Sequence, residues 1–109
     1  MIRSLIVCAL MIFCLSCGGV LQWGAMRGAY ENFEMGKYDD VICLTYVAQD
    51  YKKPSHKKMA EILLLRARAL EKVGKTQESH ELFKYIVTNF MDTKYGSMAK
   101  DRINPTEKK

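Results

Sequence analysis

Chemistry-bearing residues are scarce in this chain. Among its 109 residues the only histidines are His56 and His80, and neither stands at metal-ligand spacing from a carboxylate or a cysteine. There is no phosphate-cradling glycine loop and no nucleophile motif. We therefore expect no enzymatic activity, no metal and no cofactor other than a covalent lipid. Of four cysteines, Cys8, Cys14 and Cys17 fall within the first seventeen residues, which leaves Cys43 alone in the polar remainder. A disulfide scaffold is excluded there, and Cys43, flanked by apolar residues, reads as a buried, inert thiol. The length allows one domain and a small core.

Charge of one sign is also lacking. Lys plus Arg is 17 against 12 for Asp plus Glu, and removal of the first sixteen residues takes away only Arg3, lowering the net charge from +5 to +4. Lys52, Lys53, Lys57 and Lys58 cluster around one loop, but no aromatic interleaves them for base stacking, so no nucleic-acid partner is expected. A solvated turn is the default; a weak contact with anionic lipid headgroups, at ~1 kcal/mol per basic residue, is the alternative. Asp39-Asp40 resembles an acid pair, yet adjacent helical side chains point ~100° apart, so these acids are read as capping a helix start.

The N-terminus carries Arg3, then Leu5 to Leu15 without a polar side chain, then Ser16, Cys17, Gly18 and Gly19. That is the order of a secretory signal: basic, apolar, small. Eleven helical residues rise about 16 Å, short of a ~30 Å hydrocarbon layer. Cys14-Leu15-Ser16-Cys17 resembles a bacterial lipobox. The resemblance implies a signal peptide over residues 1–16, a diacylglycerol thioether on Cys17, a short tether over 17–21 and, with Gly18 after the cysteine, the periplasmic face of the outer membrane. An ordinary signal peptide cut near Ser16, or an uncleaved anchor in the inner membrane, are the alternatives.

Beyond it no strand alternation is visible, and apolar residues recur at helical spacing, so the fold is expected to be all-α. Trp23, Met26, Tyr30 and Phe33 share one arc of the first helix, with Gly24, Ala25, Gly28 and Ala29 on other faces, where a neighbour can approach closely. Gly36-Lys37 breaks it. Tyr38 to Tyr51 places Val41, Leu44, Ala48 and Tyr51 on one stripe with Val47 beside it, and Pro54 makes Lys53 a helix boundary and Ser55 an N-cap. His56 to Val73 is apolar around much of its circumference and must be sandwiched. Gly74 reads as its C-cap and Thr76 as the next N-cap. Ser79, Leu82, Phe83, Ile86, Val87 and Phe90 line one side of the fourth helix. Asp92-Thr93 starts a shorter helix with Met98, Ala99 and Ile103, stopped by Asn104-Pro105.

Phe33-Glu34-Met35-Gly36-Lys37-Tyr38 aligns with Glu71-Lys72-Val73-Gly74-Lys75-Thr76, a period of 38 residues that also pairs Ala29 with Ala67, Val41 with Ser79, Thr45 with Phe83, and Ala48 with Ile86. Helix, Gly-Lys, helix, repeated, resembles the tetratricopeptide repeat of ~34 residues. Ile86 to Tyr95, with Ala99, is similar to the repeats of periplasmic tetratricopeptide proteins, including the outer-membrane β-barrel assembly lipoprotein and the Tol-Pal coordinator. The resemblance spans residues 22–103. It implies two repeats plus a capping helix within a domain over 22–104, followed by a tail at 105–109, and a groove that holds an envelope protein or peptide segment.

Arg66 falls in the middle of the apolar face of the third helix. Either it snorkels or pairs with Glu31, Glu34 or Glu78, or it opens into the groove and receives a partner's carboxylate. Tyr46 and Ile42 form a smaller second candidate patch. Since ~3 repeats are normally needed for stability, two leave an apolar edge that a partner or a second copy would cover. The function expected is a membrane-anchored adaptor in envelope assembly. The alternatives are a pilotin-like chaperone for a secretin or pilus subunit, and an accessory regulator of a cell-wall hydrolase.

Overall fold

Two glycines and one proline punctuate the chain. The computed structural model describes residues 18–103, with side chains from residue 23 onward; the signal segment 1–16, Cys17, the Asn104-Pro105 stop and the tail 105–109 lie outside the described residues. Five α-helices follow one another: α1 (Gly18–Glu34), α2 (Tyr38–Tyr51), α3 (His56–Lys72), α4 (Thr76–Asn89) and α5 (Lys94–Ile103). No strand occurs among the described residues, so the fold is all-α as expected.

The two Gly-Lys breaks are built alike. Gly36 and Gly74 adopt φ of +78° and +86°, a region in which a Cβ would be strained. At each, the glycine N–H reaches back three residues (Gly36 to Phe33 O, 3.1 Å; Gly74 to Glu71 O, 3.2 Å) and the lysine N–H reaches back five (Lys37 to Asn32 O, 2.9 Å; Lys75 to Leu70 O, 3.0 Å). These paired bonds are the Schellman closure of a helix C-terminus. The lysines then enter the next helix with φ, ψ of −87°, 67° and −82°, 61°. Neither start carries a side-chain cap: Thr76 is the first residue of α4 rather than its cap, and its hydroxyl lies 3.5 Å from Gly74 O. Asp39 and Asp40 likewise sit in the first turn of α2 without capping it, where they face the positive end of the dipole. Ser55 does cap α3, accepting from the Lys58 N–H at 3.2 Å.

Helix α3 is sandwiched. Ile62, Leu65 and Ala69 join Ala25, Met26, Ala29, Val41 and Ala48 of α1 and α2 in one core, while Ala60, Leu63, Leu64 and Ala67 join Phe83 and Ile86 of α4, Phe90 of the following turn and Ala99 of α5 in another. Each fully buried Ile, Leu or Phe contributes about 1.5–3 kcal/mol. The four residue pairs matched by the 38-residue period are all buried, Ala29 with Ala67, Val41 with Ser79, Thr45 with Phe83, and Ala48 with Ile86.

One detail of α1 agrees with the sequence reading and two details of α2 differ from it. In α1 Ala25 and Ala29 are buried at a close approach, with Met26 beside them, whereas Trp23 is 61% exposed and Tyr30 also faces outward. Small side chains let α1 approach α2 closely, so that a Cβ on Gly28 would touch Leu44 at 3.5 Å. In α2, Thr45 replaces Tyr51 and Val47 on the buried stripe, and it satisfies its hydroxyl by donating to Ile42 O at 2.6 Å. Cys43 is exposed rather than buried, because Val41, Thr45 and Ala48 take the inward positions around it.

Candidate partner-binding face

With Ala25, Met26 and Ala29 turned inward, α1 presents Trp23, Arg27 and Tyr30 on its outer side. Arg27 lies over the Trp23 ring, 5.6 Å from its centroid, and donates to Glu31 at 3.3 Å. The Tyr30 hydroxyl donates across to Glu61 Oε1 on α3 at 2.8 Å, and Lys58 Nζ donates to the other oxygen of the same carboxylate at 3.1 Å. Burial first, and then this bond, hold the Tyr30 phenol well above its ordinary value. Tyr95 of α5 is also raised, by burial and by the charge of Glu61. Side chains from α1, α3 and α5 thus converge on one carboxylate.

Between these groups lies an open depression of about 300 Å³, floored by Met26 and walled by Trp23, Arg27, Tyr30, Glu31, Glu34, Lys58 and Glu61. Farther along α3, the Arg68 guanidinium covers the Phe33 ring at 4.7 Å, and Arg102 of α5 donates to Glu71 at 3.1 Å. The face combines aromatic surface with charged groups of both signs, a composition suited to holding a peptide. Among the described residues no group of three or more His, Cys, Asp or Glu could hold a metal ion. His56 bonds Asp92 at 2.8 Å and packs on Phe90 at 4.6 Å, tying the start of α3 to the α4–α5 turn, and His80 is exposed.

Arg66 is placed differently from either sequence expectation. It is only 6% exposed, its Nε donates to Thr45 Oγ1 at 3.1 Å and its Nη2 to Gln49 Oε1 at 2.6 Å, and its guanidinium stacks on Tyr46 at 3.7 Å. It neither snorkels to water nor pairs with Glu31, Glu34 or Glu78, because α2 supplies neutral acceptors nearer at hand. Burial lowers the guanidinium pKa, opposed by Tyr46 and Asp50. Tyr46 covers Arg66 with one face and, with Cys43, Val47, Asp50 and Tyr51, lines an open apolar depression on the outer side of α2. Ile42 is half-buried against the α1–α2 core. Arg66 and Tyr46 therefore belong to the α2–α3 seam, Ile42 packs against the core beside it, and Cys17 lies outside the described residues.

The α1–α3 depression was not expected, because Trp23 and Tyr30 share a helical arc with Met26 and spacing alone does not say which members of an arc stay uncovered. The signal that distinguishes them is the second stripe on the same helix, Ala25 and Ala29 beside Gly24 and Gly28, since only one stripe can face a close neighbour. No helix among the described residues is long and apolar enough to cross a membrane. The chain matches no protein-family model, no curated protein and no solved structure.

Proposed function

We propose that this chain is a lipid-anchored adaptor of the bacterial envelope, made of two tetratricopeptide-like helix pairs and a closing helix, that holds a segment of another envelope protein against its α1–α3 face. The observation that carries the reading is the repeated turn: the same hydrogen bonds and the same backbone angles at Gly36-Lys37 and Gly74-Lys75. A unit that recurs with its buried positions in register is a stacking module, and stacked helix pairs leave an open face lined by alternate helices. Here α1, α3 and α5 supply that face, with Trp23 and Tyr30 uncovered on it.

The anchor rests on Cys17 and the outer-membrane address on Gly18. In this reading the lipid sets location and the open face sets the partner, and the chain carries out no reaction. Intact mass and membrane fractionation of the native protein beside Cys17→Ser test it, followed by crosslinking of the membrane-bound form. A wild type that begins at an acylated Cys17, together with a mutant released from the outer membrane, supports the anchor. If both begin at Met1 and stay in the inner membrane, the lipoprotein reading fails.

A further inference from the structure

Helices α1 and α3 carry three arginines, and two of them are already matched. Arg27 has Glu31, and Arg66 has Thr45, Gln49 and the Tyr46 ring. Arg68 has no such partner. Its Nε is buried without a hydrogen-bond acceptor, and no carboxylate among the described residues lies within ion-pairing distance of its guanidinium. Its cation instead covers the Phe33 ring at 4.7 Å, on the same side of α1 as Tyr30. A guanidinium part-covered by aromatic surface and lacking an anion is poised for one, since planar donors bind a carboxylate through paired, charge-assisted hydrogen bonds.

Resting on the adaptor reading, we infer that the α1–α3 face selects a peptide segment that carries an acidic side chain, received by Arg68, and a large apolar side chain, received by the Trp23–Met26–Tyr30 depression. The acidic side chain is received at Arg68, beyond the depression rather than inside it, because Glu31, Glu34 and Glu61 line the depression itself. Lys58 and Arg27 there are held by Glu61 and Glu31, whereas Arg68 has no carboxylate partner among the described residues. Glu61 and Arg68 are seven residues apart on α3, about 10 Å of helix rise. An extended peptide covers that in about three residues at ~3.3 Å each, so the acid and the apolar anchor stand about three positions apart.

Trp23 is the sole tryptophan and reports occupancy of the depression by its fluorescence. The probes are blocked heptapeptides with one phenylalanine fixed and one aspartate moved through the other positions, each with an asparagine twin, titrated into the full chain in mild detergent. The aspartate peptide with the acid about three positions from phenylalanine is expected to bind at least about tenfold more tightly than its twin, and Arg68→Gln to erase that difference. Arg68→Lys restores part of the difference, and circular dichroism verifies that both variants fold. If aspartate and asparagine peptides bind equally, or if Arg68→Gln keeps the preference, the inference is overturned while the adaptor reading stands. If no peptide of the set perturbs Trp23, the inference and the use of this face for peptide binding both fall.

Discussion

In α5, Gly96 is buried against the turn that leads into the helix, and a Cβ on it would lie 2.7 Å from both Met91 Cα and the Phe90 carbonyl carbon, and against the Phe90 oxygen as well. These are backbone atoms, so no side chain can swing aside. The turn is held by Phe90 N–H to Ile86 O at 2.8 Å, by the Thr93 N–H and hydroxyl to Phe90 O at 3.0 and 2.6 Å, and by the Gly96 N–H to Thr93 Oγ1 at 3.2 Å. Admitting one methyl group means moving α5 away from α4 and breaking part of that set. Alanine gains about 1 kcal/mol of helix propensity over glycine. Overpacking against a fixed backbone costs about 1–3 kcal/mol, and each lost hydrogen bond adds about 1 kcal/mol. The expected net for Gly96→Ala is a loss of about 1–3 kcal/mol, or ~4–8 °C of melting temperature per kcal/mol. Gly24 is the control, since a Cβ there meets nothing within 4 Å, and Gly24→Ala is expected to gain about 0.5–1 kcal/mol. Urea unfolding of the full chain, followed by far-ultraviolet circular dichroism, measures both. A Gly96→Ala variant as stable as the wild type would refute the packing of α5 against the turn.

Removing Arg66 deletes one buried and one part-buried hydrogen bond and the stack on Tyr46, so Arg66→Ala is expected to destabilise by about 2–4 kcal/mol, with Arg66→Met, which refills the space without a charge, costing clearly less; the same unfolding assay decides. Gly74→Ala forces a side chain into φ +86° and is expected to lose about 1 kcal/mol, and Gly36→Ala, in the equivalent turn, is expected to lose a similar amount. The Asp92 carboxyl is held below its ordinary value of 3.8, chiefly by the bond to His56. A carboxyl depressed in the folded state stabilises fully above its unfolded value and loses that contribution as pH falls through the folded one. Asp92→Asn should therefore be less stable than wild type at pH ~6, and the gap should close below pH ~3.8 in a pH series of unfolding curves.

Much of this fold is legible because its punctuation is local. Gly36, Gly74 and Pro54 each act through their own backbone, so the bounds of α2 and the start of α3 follow from sequence alone. The sandwiching of α3 also follows, because apolar residues on several faces leave no other outcome. Competition between faces is harder to read. On α1, two stripes qualify as core, and the choice turns on how near α2 comes, a tertiary distance set by Gly28 and Leu44. The place of Arg66 in an apolar face was legible, but its burial and its partners were not, since Thr45 and Gln49 become its neighbours only when α2 packs on α3. Arg68, two positions along, lies off the most apolar stripe, and its lack of an anion depends on where the packing of α1 and α5 leaves their carboxylates.

The central claim is that the α1–α3 face holds the partner, and site-directed photocrosslinking in the native cell addresses it directly. A photoreactive residue placed at Trp23, with one at the also exposed Tyr85 of α4 as reference, is expected to give a discrete adduct with one envelope protein from Trp23 alone. Adducts from Tyr85 with none from Trp23 would contradict the account and move the binding surface to the other side of the molecule.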